Sequence, residues 1–128
     1  MATANLNGIS VLIVEDEGLQ AMELQAALED AGASVIGPVG QVEDAWDMID
    51  LPRLDCAVLD VNLQGEMIFP VADALLEHDV PVIFVTAYPE QQLPPRYMGL
   101  PIFRKPLLLD PLTRTIEKEL SGAETGGP

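Results

Sequence analysis

Five short runs of β-branched and apolar residues alternate along the chain with segments in which apolar residues recur at helical spacing. The five runs are residues 9–14, 34–37, 55–61, 81–86 and 100–104. Such alternation is typical of parallel strands joined by helices, because a parallel connection has to cross back over the sheet. The third run is almost continuously apolar, which predicts a central strand buried on both faces. The sequence therefore predicts an α/β domain.

The helical segments are predicted at residues 16–31, 41–50 and 70–78, with a last helix starting near Asp110-Pro111. In the first of them, apolar residues recur at spacings of three and four, and Gly32 is placed to cap the carboxyl end. We expect Met22 to be an ordinary packing residue. We expect Trp46, which shares one face of the second helix with Val42, Ala45 and Ile49, to cover the sheet or a helix edge.

The connection between the fourth and fifth strands is unusual because it is rich in proline. Residues Tyr88–Gly99 contain Pro89, Pro94 and Pro95. Proline removes a backbone donor and clashes with the preceding turn of a helix. We therefore predict at most one weak helical turn in this degenerate fourth crossover.

Length limits the chain to a single domain. Its 128 residues, 48% of them hydrophobic, suffice for one buried core. We expect this domain to cover residues 1–120, with 121–128 as a disordered tail and no room for an output domain. The single cysteine, Cys56, lies in an apolar run and is expected to be a reduced core thiol in a cytoplasmic protein.

The charge balance excludes several classes of partner. The chain has 6 Lys and Arg against 21 Asp and Glu, for a net charge of −15, and no basic residue precedes Arg53. Such a field repels nucleic acid and anionic lipid surfaces, so neither is an expected partner. No apolar run approaches the ~20 residues needed to span a bilayer. Divalent cations and basic protein surfaces are better candidates.

Polar residues lie at or just past the carboxyl ends of four of the predicted strands, where ligands collect in parallel sheets. They are Glu15 and Asp16, Asp60 and Asn62, Thr86, and Lys105. Converging carboxylates disfavour one another's ionised forms, and a hard dication such as Mg²⁺ relieves that repulsion. Beside such an ion, Asp60 can act as a nucleophile on phosphorus. Thr86 and Lys105 would then meet other phosphoryl oxygens.

Four segments together resemble the signatures of a two-component response-regulator receiver domain. They are V-L-I-V-E-D-E (11–17), A-V-L-D-V-N-L (57–63), I-F-V-T-A-Y (83–88) and F-R-K-P (103–106). The resemblance covers about residues 8–120. It implies a flavodoxin-like, CheY-like sheet of five parallel strands in the order 2-1-3-4-5, numbered along the chain.

The resemblance also implies roles for individual residues around the acceptor. Asp60 matches the phosphoacceptor, and Glu15 and Asp16 match the acidic pair that binds Mg²⁺. The position that Asp60 matches also contacts this ion in the family, and Asn62 matches a position that contacts it through the backbone carbonyl.

Further matches concern the response to phosphorylation. Thr86 matches the hydroxyl that turns toward the phosphoryl group, Lys105 matches the lysine that contacts it, and Pro106 matches a proline that usually follows a cis bond. Many receivers carry an aromatic switch residue three positions before the lysine, but Ile102 stands there. Tyr88 could orient or block the water that hydrolyses the phosphoaspartate, or report the state of Thr86; packing over the loop is an equal alternative.

A narrower resemblance concerns stand-alone receivers of alphaproteobacteria that carry a P-F-x-F-A-T-G-Y motif in the fourth strand. Here the corresponding stretch is P-V-I-F-V-T-A-Y, residues 81–88, in which four positions match. The resemblance implies a single-domain regulator that receives phosphate from a histidine kinase or a histidine phosphotransfer protein. It would signal to a downstream protein partner by contact, or serve as a phosphate shuttle or sink.

Three alternatives come from other functional classes. A haloacid-dehalogenase-type phosphatase needs a second aspartate where Asn62 stands, because an amide cannot protonate a leaving group. A flavodoxin-like nucleotide binder would be repelled by the acidic residues 15–17. A pseudo-receiver that binds partners without phosphorylation remains the main alternative. Turnover on the leading hypothesis is limited to autocatalytic phosphorylation and dephosphorylation, so we do not expect an enzyme.

Overall fold

The computed structural model describes residues 4–89 and 92–125, which form one α/β domain. The elements in chain order are β1 (Ser10–Val14), α1 (Gly18–Asp30), β2 (Ser34–Val39), α2 (Val42–Trp46), β3 (Cys56–Asp60), β4 (Asn62–Leu63), β5 (Glu66–Met67), α3 (Phe69–Glu77), β6 (Val82–Thr86), a 3-10 turn (Pro95–Tyr97), β7 (Ile102–Arg104) and α4 (Leu109–Thr125).

Five of these strands form one parallel sheet in the order β2-β1-β3-β6-β7. Counted along the chain, this is the order 2-1-3-4-5, so the predicted fold class is confirmed. All five residues of β3 are buried, as expected for the central strand. The sheet therefore brings the carboxyl ends of β1, β3, β6 and β7 to one edge.

Alternation along the strands divides the core into two layers. Leu12, Leu59 and Phe84 belong to the layer that packs against α2 and α3. Ile13, Val58 and neighbouring side chains belong to the layer beneath α1 and α4. Because successive side chains of a strand point to opposite faces, this division also assigns a face to the polar residues at each strand end.

A two-stranded antiparallel hairpin, β4 and β5, follows β3 and was not predicted. Gln64 and Gly65 connect its strands, with φ values of 54° and 96°. Positive φ at both central residues is the geometry of the tight turns that fit the twist of a hairpin. Sequence reasoning missed the hairpin because Gln rarely adopts this conformation, although Gly65 favours it.

In its described part, the Pro-rich connection contains the 3-10 turn Pro95–Tyr97 and no α-helix. Gln92 also has 3-10 geometry, and its N–H donates to the carbonyl oxygen of Pro89 at 3.0 Å, so the connection has more 3-10 structure than the single turn predicted. Residues 90 and 91 lie outside the described residues. The last helix continues to Thr125, into the stretch that the sequence assigned to a tail. Ala and Glu in this stretch have good helix propensity, which the Gly-rich composition obscured. Residues 126–128 lie outside the described part.

Two side chains are more exposed than predicted. Met22 is 66% exposed and Trp46 is 41% exposed. In α1, Ala21, Leu24 and Leu28 form the buried stripe, and Met22 lies about 100° around the helix from Ala21. The α2 helix ends at Trp46, so the periodicity that placed this residue with the inward face does not continue.

The remaining backbone features agree with the sequence. Gly32 has φ +103° after α1, and the N–H of Ala33 donates to the carbonyl oxygen of Leu28 at 3.0 Å, as in a glycine-terminated helix end. Within residues 4–89 and 92–125, no helix is both long and apolar enough to cross a membrane.

Candidate functional site

The candidate site lies where the carboxyl ends of four parallel strands meet. Glu15 directly follows β1, Asp60 is the last residue of β3, Thr86 is the last residue of β6, and Lys105 directly follows β7. Glu15, Asp60 and Thr86 are buried, with exposed fractions of 7%, 6% and 0%. Ionisable groups are seldom buried without a partner. Their placement therefore requires an explanation in their contacts.

Lys105 supplies the positive partner for two of the buried carboxylates. Its Nζ lies 3.0 Å from Oε1 of Glu15 and 3.1 Å from Oδ2 of Asp60. It is also 3.3 Å from the second carboxylate oxygen of Glu15. The ammonium group thus joins the ends of β1 and β3, although Lys105 itself follows β7, the outermost strand of the sheet.

Three carboxylates converge beside this lysine. Ligand atoms of Glu15, Asp16 and Asp60 all lie within 4.8 Å of one another, close enough to share one metal ion. Hard oxygen donors of this kind are what Mg²⁺ prefers, and Mg²⁺ usually takes only one or two protein carboxylates. The donor set therefore fits a hydrated Mg²⁺ ion.

Burial and the neighbouring charges shift the pKa values of Glu15 and Lys105. Burial raises the pKa of Glu15 to about 7, and the charge of Asp60 acts in the same direction. The backbone N–H of Glu17, which donates to Glu15 at 3.0 Å, opposes the shift. For Lys105, burial alone would lower the pKa, but Glu15 and Asp60 outweigh it and the pKa is raised. Lys105 is therefore a permanent cation in the site.

Asn62 and Tyr88 form a bridge at the outer rim of the site. The side-chain amide nitrogen of Asn62 donates to the Tyr88 hydroxyl at 2.7 Å, and its oxygen accepts from the Gly65 N–H. The N–H of Tyr88 donates to Oγ1 of Thr86 at 2.9 Å. The β4–β5 hairpin is thus linked to the end of β6 through these side chains.

An open cleft of about 530 Å³ lies between this bridge and the acidic cluster. Its lining includes Asp16, Asp60, Asn62, Tyr88 and Lys105. These five residues are all polar or charged, and a cleft of this volume is large enough for a phosphoryl group together with a hydrated ion. The cleft is open to solvent, and Asp60 is part of its lining.

The structure brings most of the predicted site residues together, and it separates one from the rest. Ile102 belongs to the core layer on the α2 and α3 side, opposite Phe84 in register. The Lys105–Pro106 peptide bond is cis, as the resemblance implied. Sequence reasoning missed a second polar cluster, Asp73, Arg96 and Tyr97, on that same side. No motif in the sequence points to it, because Asp73 in α3 lies 24 positions before Tyr97 in the Pro-rich connection.

Fold and site together define a CheY-like α/β domain in which three acidic residues at the carboxyl ends of the strands lie close enough to share a metal ion. The family model of the response regulator receiver domain matches residues 11–104. The chain belongs to the response-regulator receiver family.

Similar proteins include regulators of the PhyR and SdrG type. The phyllosphere-induced regulator PhyR of Methylorubrum extorquens is 38% identical over 86 residues, which cover 65% of this chain and 32% of that protein. The BeF₃-activated solution structure of SdrG from Pseudomonas melonis Fr1 has 34% identity and a TM-score of 0.74, covering 89% of this chain and 98% of that one.

The crystal structure of PhyR from Brucella abortus has 25% identity and a TM-score of 0.81. The match covers 95% of this chain and 51% of that chain. The present chain therefore spans about a third to a half of the length of these PhyR proteins, and nearly all of SdrG.

Proposed function

We propose that this receiver accepts a phosphoryl group on Asp60 from a histidine kinase or a histidine phosphotransfer protein. The observation that carries the proposal is the position of the Asp60 carboxylate. Asp60 is the last residue of the central strand, and its carboxylate lies 3.1 Å from Nζ of Lys105. It is also close enough to the carboxylates of Glu15 and Asp16 for the three to bind one metal ion. An open cleft leads to it.

In the proposed reaction, a carboxylate oxygen of Asp60 attacks phosphorus. The P–N bond to the donor histidine breaks as the new P–O bond forms, and the imidazole leaves with the electron pair. A small acyl phosphate would react in the same way, with its P–O bond breaking and a carboxylate leaving. Lys105 is placed to pair with a phosphoryl oxygen, where a fixed cation stabilises the developing charge.

Glu15, Asp16, Asp60 and the backbone carbonyl of Asn62 are the groups we propose to hold Mg²⁺. When bound, the ion neutralises negative charge of both the carboxylates and the incoming phosphoryl group. Without such neutralisation, the acidic cluster repels a phosphate.

Thr86 and Tyr88 are proposed to respond to the new charge. Phosphorylation adds nearly two negative charges and three strong acceptor oxygens at Asp60. For its hydroxyl to turn toward them, Thr86 has to give up the hydrogen bond from the Tyr88 N–H. The end of β6 and the Pro-rich connection would change together, and with them the surface offered to a protein partner.

Two outputs are compatible with this chemistry. The phosphorylated chain could signal by contact with a downstream protein, or return the phosphate to another histidine as a shuttle or sink. Of the relatives, SdrG has a BeF₃-activated structure, and PhyR is a regulator. We favour signalling by contact on this basis, with turnover limited to the phosphorylation and dephosphorylation of the chain itself.

The direct test is intact mass after incubation with a small acyl phosphate and Mg²⁺, and with a purified histidine kinase if that donor fails. We expect a phosphate-sized gain in mass that disappears when Mg²⁺ is chelated. A folded protein that gains no mass from either donor would overturn the proposal. It would favour a pseudo-receiver that binds its partner without phosphorylation.

Tyr88→Phe is expected to shorten the lifetime of the phosphoaspartate. The change removes the hydroxyl that accepts from Asn62, so the bridge over the cleft opens and water reaches Asp60 more easily. A neutral hydrogen bond contributes about 0.5–1.5 kcal/mol, which predicts hydrolysis faster by on the order of two- to tenfold. The decay of the phosphorylated mass with time after donor removal measures it.

Asn62→Ala and the double variant, compared with Tyr88→Phe and the unmodified chain, form a double-mutant cycle of hydrolysis rates that tests this bridge. If the two residues act through their hydrogen bond, the double variant hydrolyses no faster than the faster single variant. Unchanged hydrolysis in Tyr88→Phe would show that the tyrosine only packs over the loop.

A further inference from the structure

Tyr97, in the Pro-rich connection, is buried and held by three polar groups. Its side chain is only 1% exposed. The hydroxyl donates to Oδ1 of Asp73 at 2.6 Å and lies 3.2 Å from the carbonyl oxygen of Phe69, while Nη2 of Arg96 donates to it at 3.0 Å. Burial, followed by the neighbouring Asp73, raises the pKa of Tyr97 to about 12. The phenol therefore remains a hydrogen-bond donor at neutral pH.

Asp73 and Arg96 close this cluster on the protein surface. The guanidinium of Arg96 reaches both carboxylate oxygens of Asp73, at 3.2 and 3.1 Å, and lies 4.6 Å from the centre of the Tyr97 ring. Two-point pairing of this kind is geometrically specific. Asp73 belongs to α3, whereas the other two residues belong to the Pro-rich connection. The cluster thus ties the connection to a helix of the domain.

The rest of the connection has few anchors. Among its described residues, 88, 89 and 92–99, only Leu93 and Tyr97 are buried. Gly99, three residues before the start of β7, has φ +98°, a conformation that other residues rarely adopt. Release of Tyr97 would leave Leu93 as the remaining buried anchor.

The ring of Tyr97 also reaches the strand that carries Thr86. It stacks on Phe69 with centroids 5.3 Å apart and packs edge-on against Phe84 at 4.9 Å. Phe84 and Thr86 are two residues apart in β6, so their side chains lie on the same face of the sheet. A displacement at the end of β6 would therefore be transmitted to the Tyr97 ring through Phe84.

We infer that Tyr97 is a positioning residue: its hydroxyl holds the Pro-rich connection against α3 through Asp73, a contact that we call the latch. This inference rests on the proposed function. Phosphorylation at Asp60 draws Thr86 toward the phosphoryl group, shifts Phe84, and opens the Tyr97–Asp73 latch. The connection then separates from α3 and changes the surface beside β7. Ile102 faces the same core layer but has no hydroxyl, so it cannot make this polar contact.

Amide hydrogen exchange followed by NMR tests the latch. The N–H groups of Tyr97, Met98 and Leu100 donate within the connection and report whether it is ordered. Tyr97→Phe keeps the ring and removes the hydroxyl. Since a hydrogen bond to a charged group contributes more than a neutral one, we expect exchange at these amides to rise by about tenfold. Amides of β3 should stay protected, which shows that the domain remains folded.

Mg²⁺ with beryllofluoride, a phosphoryl mimic, supplies the activated state. In the unmodified chain, we expect it to raise exchange at the same three amides, and in Tyr97→Phe to add little further. Asp73→Ala should behave as Tyr97→Phe does. Asp44→Ala, which removes an exposed carboxylate from α2, is the charge-matched control and should leave these amides unchanged.

The possible failures are distinguishable. Beryllofluoride could shift the resonances of Ala87 and Lys105 while the three amides keep their exchange rates. That result would overturn the role inferred for Tyr97 but leave the proposed phosphorylation of Asp60 intact. Wild-type exchange in Tyr97→Phe would also overturn the latch. If the site resonances do not move and no phosphate is gained by mass, the proposed function is overturned, and the latch with it.

Discussion

Asp60→Asn is expected to abolish phosphate incorporation from both an acyl phosphate and a kinase. The amide keeps the shape of the side chain but lacks the anionic oxygen that attacks phosphorus. It also removes one of the three carboxylates of the acidic cluster. Intact mass should show no phosphate-sized gain under conditions in which the unmodified chain is fully converted.

Asp79→Asn is the matched control for this change. Asp79 is exposed and has φ 60°, a left-handed conformation that asparagine tolerates well. It should be phosphorylated at the rate of the unmodified chain. A phosphate gain that persists in folded Asp60→Asn would place the acceptor elsewhere, and peptide mapping would then decide whether Asp16 is the site.

Lys105→Met is expected to slow phosphorylation of Asp60 by about a hundredfold, the cost typical of removing one preorganised donor to a developing charge. Methionine matches the length of lysine and carries no charge. It leaves Glu15 and Asp60 without the ammonium that now lies about 3 Å from each carboxylate. The rate of mass gain at saturating Mg²⁺ measures the effect.

A second readout separates this effect from damage to the fold. Lys105 competes with a metal ion for the same carboxylates, so Mg²⁺ should bind more tightly to Lys105→Met in a calorimetric titration. Lys118→Met removes an exposed lysine from α4 and should alter neither quantity. Phosphorylation of Lys105→Met at the unmodified rate would remove Lys105 from the proposed chemistry.

The elements of the sheet were predictable from the sequence because they depend on local patterns. Alternation of β-branched runs with helical periodicity predicted five parallel strands. The residues at or just past the ends of four of these runs identified Glu15, Asp60, Thr86 and Lys105 as neighbours. The argument needs only that parallel strands end at the same edge. The strand order came from the family resemblance, and the structure confirms it.

Local patterns failed where orientation around a helix or an uncommon backbone conformation decided the outcome. Trp46 is exposed because α2 ends there, and Gln64 adopts a positive φ in a hairpin that no strong turn motif announces. Both depend on how the neighbouring elements pack.

Short-range sequence patterns were enough to predict the α/β class and the kinds of side chain at the carboxyl edge of the sheet, because hydrophobic periodicity depends on neighbouring residues. The contacts between residues that are far apart in the chain could be identified from the three-dimensional structure alone. Lys105 lies 90 positions from the carboxylate of Glu15 that it pairs with, and Tyr97 lies 24 positions from Asp73. Contacts across such separations depend on how whole helices and strands pack, and short-range patterns carry no information about that packing.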